Sequence, residues 1–277
     1  MSSSAAAIDS NTGKFFGSIK SMHEFDKAEV KSVIAMLLPP MTTREQCFIG
    51  TYYRTLGNVE SLLLLDGPKH FQAIVMLARA LFELAVDIRL LDVIPAGWEK
   101  MAAFINVEKL RAANKVLTFK KKNPTVEFES VHENFFVTHN MRVVEDLKNF
   151  YWPAQKNVSH WSGLRLSERA SKLGSPFDRI YAVDYSKLSW YAHSGLTGVA
   201  FVPPEGLTNL CGYALHMATT AYGESILAMV REFKISAVTD GIDDLLKLAK
   251  MLPFTHSPEQ AEELIKILAP NKVRRGQ

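Results

Sequence analysis

The sequence predicts an all-α fold, a multi-helix bundle around one buried central helix. Apolar residues recur at helical spacing through most of the 277-residue chain, no stretch alternates apolar and polar residues over a useful strand length, and turn residues separate the periodic segments. The segment 68–94, PKHFQAIVMLARALFELAVDIRLLDVI, is apolar on almost every side. A helix of that kind belongs in the interior, with the others wrapped around it. No internal repeat at a fixed period is visible.

Composition allows a sizeable core, with 47% hydrophobic residues, 22% charged residues and a formal net charge of +3. That mild basic excess is compatible with a nucleic-acid partner and does not require one. The two cysteines, Cys47 and Cys211, sit inside apolar helical patterns and form neither a disulfide framework nor a zinc signature. The opening MSSSAAAIDSNTG has no basic segment leading into an apolar run, and charges interrupt the longest apolar stretches. The expectation is a cytoplasmic protein with no membrane span and no cofactor.

In chain order, residues 1–15 are small and polar and read as a flexible tail. Residues 19–38 carry a loose helical spacing that Pro39 and Pro40 end. Thr42 or Thr43, with Glu45 behind, can cap a second helix running to the Leu62–Leu65 run. Asp66, Gly67 and Pro68 make the turn into the central helix, Pro68 standing at its first position, so the two helices form a hairpin.

A more amphipathic helix over 98–119 ends in three lysines, which suit the negative end of a helix dipole. Residues 126–151 form the next, stopped by Trp152 and Pro153. Residues 155–166 lack periodicity and form a long loop with Trp161 at its centre, expected to pack inward as a lid or to serve a site. Ser167 then caps a short helix closed by Gly174, and another runs from Asp178 to about His193. Helices over 205–233, 240–252 and 258–268 follow. The bundle domain is placed at 16–235 and a small helical appendage at 236–277.

Two polar stripes stand out. At about 100° per residue, Gln72, Arg79, Glu83 and Asp87 lie within an arc of about 80° on the central helix and must face polar groups, a ligand or trapped water. On the 178–193 helix, Asp178, Tyr185, Ser189 and His193 share one side. If the stripes face each other, Arg79, Glu83, Tyr185, Ser189 and His193 gather in one pocket. Such a pocket offers groups for proton transfer and for holding a phosphate. The plainer alternative is a buried seam in which these groups satisfy one another. Glu83, Asp87, His160 and His193 are acceptable metal ligands, but no glutamate followed three residues later by histidine is repeated on two helices, so no metal site is expected. His132 and His139 share a face without a carboxylate in register.

The successions ARALFELAVDIRLL, HWSGLRLSERASKLG and DRIYAVDYSKLSWYAHSG resemble an uncharacterised family of bacterial helical proteins known only as a domain of unknown function, over residues 57–225. That resemblance implies a helical fold and motif positions Arg79, Glu83, Trp161, Tyr185, Ser189 and His193, without an activity. The late helix also resembles HEPN-domain proteins, helical dimers many of which are metal-independent ribonucleases of toxin and phage-defence systems. Their signature is an arginine followed four to six residues later by histidine. Here Lys187 precedes His193, and lysine, a point charge, lacks the bidentate fork. On an unbroken helix the two also point about 120° apart.

The resemblance implies a homodimer that cuts RNA without metal: His193 as general base, Lys187 or Arg79 stabilising the phosphorane, Tyr185 and Ser189 orienting the phosphate. The alternative is a non-catalytic helical module with a structural seam or a small-ligand pocket, in which Glu83, Asp87, His160 and Trp161 line the seam or hold the ligand.

Overall fold

The computed structural model describes residues 2–37, 39–65, 67–127, 129–192 and 204–235, with side chains from residue 12 and, in the last helix, from residue 206. Among these residues every regular element is helical. Helix α1 (Ser2–Phe25) passes through a π turn (Asp26–Val30) into α2 (Lys31–Ala35). Helix α3 (Thr43–Leu63) follows, then a 3₁₀ turn (Pro68–His70) that opens the central helix α4 (Phe71–Val93). Next come α5 (Gly97–Lys122), α6 (Val131–Tyr151) and α7 (Leu166–Leu173). The short α8 (Phe177–Ile180), a second π turn (Tyr181–Tyr185) and α9 (Ser186–Ala192) form one continuous rod, and α10 (Pro204–Glu232) is the last described helix.

Helix α1 begins at Ser2, inside the stretch whose composition suggests a tail. Alanine has the highest helix propensity, which suits Ala5, Ala6 and Ala7, and Phe15 is buried further along. At α3 the cap is Thr42, whose hydroxyl accepts the Glu45 N–H at 3.2 Å while the Glu45 carboxylate accepts the Thr42 N–H at 2.7 Å. The cap of α7 lies two residues earlier than Ser167: Glu168 reaches back to the Arg165 N–H at 2.7 Å, and the helix still stops before Gly174, at φ +69°. A carboxylate in the first turn satisfies the orphan donor there, so no serine hydroxyl is needed. Helices predicted over 236–277 lie outside the described residues.

Helix α4 is the axis of the bundle. Its Ile74, Phe82, Val86 and Leu90 have no exposed surface, and it packs chiefly against α10 and α3, with α5, α7 and α9 also touching it. Helix α10 brings Leu215, Ala218 and Met229 to this core, and α1 covers α10 from the other side. A smaller core of Val107, Leu110, Val144, Trp152 and Val158 holds α5, α6 and the following loop together. No described helix is long and apolar enough to cross a membrane.

The first π turn turns an acidic residue into the main core. Asp26 is fully buried and accepts the hydroxyls of Tyr52 and Tyr222, each at 2.6 Å. Burial dominates over these hydrogen bonds and pushes its carboxyl from 3.8 up to about 6. A raised carboxyl favours the protonated fold, so its stabilising contribution is complete below the unfolded value and is lost as pH rises through about 6. At roughly 1.36 kcal/mol per unit, ionising Asp26 costs about 3 kcal/mol by pH 7. Thermal melts from pH 4 to 7 should therefore show wild type losing stability relative to Asp26→Asn. Parallel curves for the two proteins would contradict this.

Candidate functional site

The polar stripe of α4 divides into two parts. Near the middle of the helix, Arg79 and Glu83 both meet Tyr185, which the second π turn carries inward. The Tyr185 hydroxyl donates to Glu83 Oε1 at 2.6 Å and accepts from Arg79 Nη2 at 2.9 Å. The Arg79 guanidinium also lies over the Tyr185 ring, 4.7 Å from its centre, while Phe82 and Tyr181 pack on the same ring. Tyr185 is only 8% exposed, and burial, with the Glu83 hydrogen bond second, pushes its phenol up to about 12. The hydroxyl's proton and acceptor capacity are both used within the protein. Chemically this is a clamp between α4 and the α8–α9 rod.

One turn further along α4, Asp87 belongs to a different cluster. Arg169 Nη1 of α7 donates to Asp87 Oδ1 at 2.5 Å, and His160 Nε2 from the long loop stands 3.2 Å from Asp87 Oδ2. The other imidazole nitrogen, Nδ1, receives the Ser162 hydroxyl at 2.8 Å and the Ser162 N–H at 3.2 Å. With Nδ1 as acceptor, the ring proton sits on Nε2 and points at the carboxylate. Arg169 Nη1 is also 2.9 Å from that Nε2, so both donors converge on Asp87. Both ring nitrogens are thus engaged.

The loop holding His160 is stapled from several directions. Trp152 Nε1 donates to the Trp161 carbonyl at 2.8 Å, Gln155 Nε2 donates to the Gly163 carbonyl at 2.6 Å, and Arg111 donates to the Val158 carbonyl. Gly163 has φ +73°, a left-handed conformation that glycine adopts without strain, and a Cβ there would push the Gln155 amide from its place. Trp161 is 3% exposed, and its indole N–H is buried with no hydrogen-bond partner.

Beside this cluster lies a cleft of about 660 Å³ between α3, α4, α5 and the loop. Leu84, Met101, Phe104, Ile105 and Trp161 give it apolar walls, Asp87 and His160 a polar edge. Arg54 and Lys109 are exposed cations at its rim. The volume falls in the range typical of small-molecule sites, and the mixture of apolar wall and a few fixed polar groups is typical as well.

The structure therefore gathers Arg79, Glu83 and Tyr185 in one place and Asp87, His160 and Trp161 in another. Ser189 does not enter either cluster: its hydroxyl donates to the Tyr185 carbonyl at 2.8 Å. Lys187 is exposed, with its ammonium 5.5 Å from the centre of the Tyr213 ring. His193 lies outside the described residues. Arg169, 6% exposed, was missed by sequence reasoning, although its spacing to Leu166, Ala170 and Leu173 puts it on the buried face of α7. Of the four residues weighed as metal ligands, Asp87 and His160 contact each other and Arg169, and Glu83 contacts Tyr185.

The helical architecture and the α4 clamp define an all-α protein whose main core is shared by two deeply buried helices, α4 and α10. The family model DUF5677, described as a family of unknown function, matches residues 46–202, more than half of the chain, and the chain belongs to that family. The match takes in both α4 clusters and the stapled loop, while all of α1, α2 and α10 lie beyond it. No curated protein matches the chain. No solved structure matches it.

Proposed function

We infer that this chain is a helical ligand-binding module whose site is the cleft beside His160 and Trp161, with the Arg79–Glu83–Tyr185 clamp serving the fold. The cleft itself carries the reading: it is of ligand size, apolar along most of its wall, and backed by a network that fixes His160 and leaves neither ring nitrogen free for proton transfer. The rim cations Arg54 and Lys109 favour a small molecule with an apolar or aromatic body and a carboxylate or phosphate end, held away from the Asp87 and Glu108 carboxylates that also line the cleft. A thermal-shift screen of such compounds tests it. A true ligand at about one hundred times its dissociation constant adds about 2.7 kcal/mol and raises the melting temperature. A broad panel of anionic aromatic and branched apolar compounds that leaves the melting temperature unchanged contradicts the reading.

One observation favours a second reading, metal-independent cleavage of RNA through His193. The exposed Lys187 stands over Tyr213, and Trp190 is 60% exposed on the same short helix that leads toward residue 193. A cation beside open aromatic rings suits phosphate and base contacts. On this reading purified protein cleaves single-stranded RNA in the presence of chelator, and His193→Ala lowers the rate by about 10² to 10⁴-fold. Intact RNA after incubation with wild type removes it.

A further inference from the structure

A second cleft, of about 550 Å³, is walled by α5, α6 and the loop at 156–158, on the side of the molecule built on the smaller core. Its charged lining residues are Arg111, Lys115, Lys122, Lys148 and Lys156, and no carboxylate lines it. Glu108 engages Arg111 from outside the cleft, and Arg111 also holds the Val158 carbonyl. Lys115, Lys122 and Lys156 are exposed and Lys148 half-buried, none with an ion-pair partner among the described residues. The lining positions on α5 run from Val107 to Lys122 along one face, a span of roughly 22 Å at 1.5 Å per residue. Phe119, 51% exposed, is among them.

The helix dipole accounts for Lys122 in the last turn of α5 and for Lys148 in the last turn of α6, but not for Lys115 in mid-helix or for Lys156 in the loop. Bringing these cations together without an anion costs mutual repulsion, and a bound polyanion removes it. The shape is a channel with walls on three elements, not a flat basic face, and an aromatic ring stands among the cations. Single-strand-binding grooves combine those two features, cations that follow phosphates and rings on which bases stack.

We propose that the α5–α6 cleft binds single-stranded nucleic acid through its phosphates, with Phe119 offering a stacking surface. The proposal rests on neither reading of the preceding section. The probe is a fluorescently labelled single-stranded RNA of about 12 nucleotides, with affinity read by anisotropy between roughly 50 and 200 mM salt. Wild type binds, and log K falls with log salt at about 0.7 per phosphate contact. Combining Lys115→Glu, Lys122→Glu and Lys148→Glu weakens binding at least tenfold and flattens that slope, whereas Arg at the same three positions retains both. Phe119→Ala weakens binding severalfold with the slope unchanged. Gly50 on α3 lines the other cleft and not this one, so Gly50→Leu binds RNA as wild type does. Melting curves establish that each variant is folded. Absence of binding by wild type at low salt overturns the proposal, as does undiminished binding by the folded charge-reversed variant. Equal affinity for a duplex, a mononucleotide or anionic phosphatidylserine vesicles overturns it too, because each means a different occupant.

Discussion

Replacing Asp87 with alanine is expected to destabilise the protein by about 3 to 5 kcal/mol, the usual result of leaving a buried charge without its partner. Arg169 is 6% exposed, its Nε has no partner, and Asp87 is its carboxylate. The same substitution removes the acceptor for the His160 N–H, so the loop loses its attachment to α4. Chemical denaturation gives the figure directly. The double variant Asp87→Ala with Arg169→Met should recover much of the loss, since the cation is then gone and its stem volume is retained. A double variant no more stable than Asp87→Ala would show that the cost came from something other than a stranded charge.

Trp161→Ala is expected to cost about 3 to 5 kcal/mol as well, but by a different route. The indole is 3% exposed in the main core, packs beside His160 with ring centres 5.4 Å apart, and forms a wall of the larger cleft. Truncation leaves a void that the stapled loop cannot close, because Trp152, Gln155 and Arg111 all fix its backbone. Hydrogen exchange should therefore rise in the 155–166 loop with α4 remaining protected. Trp161→Phe should recover part of the stability, since one ring still fills the space. A loss below about 1 kcal/mol for Trp161→Ala would mean that the loop is not fastened through this side chain.

The axial helix could be read from the sequence because hydrophobicity on all sides permits only a buried position. The meeting of Arg79 and Glu83 with Tyr185 was legible for a related reason: rare polar residues in apolar surroundings need one another. Helical geometry alone did not predict that the stripe would split. Asp87 lies one turn beyond Glu83, yet its partners come from the 155–166 loop and α7, whose approach depends on tertiary packing. Nor did local pattern reveal the buried Asp26 network, in which Asp26 and Tyr222 are 196 residues apart in sequence. Both π turns were invisible too. Each inserts a residue into a helix whose sequence spacing suggests an unbroken 3.6-residue period, and this changes which side chains face inward. The lysines of α5 were explained singly as helix-end charges, and only α6 and the loop bring Lys148 and Lys156 alongside them.

Gly50 provides the most direct test of the larger cleft as the ligand site. It lines the cleft from α3, and a Cβ added there meets no atom within 4 Å. Gly50→Leu should therefore fold at least as well as wild type, because glycine inside a helix is about 1 kcal/mol worse than good helix formers. The leucine side chain would occupy the space that a ligand needs. Isothermal titration of wild type and Gly50→Leu with a compound that stabilises wild type is the measurement. A loss of binding of tenfold or more in the folded variant is the predicted result, and unchanged affinity would contradict the assignment of the cleft.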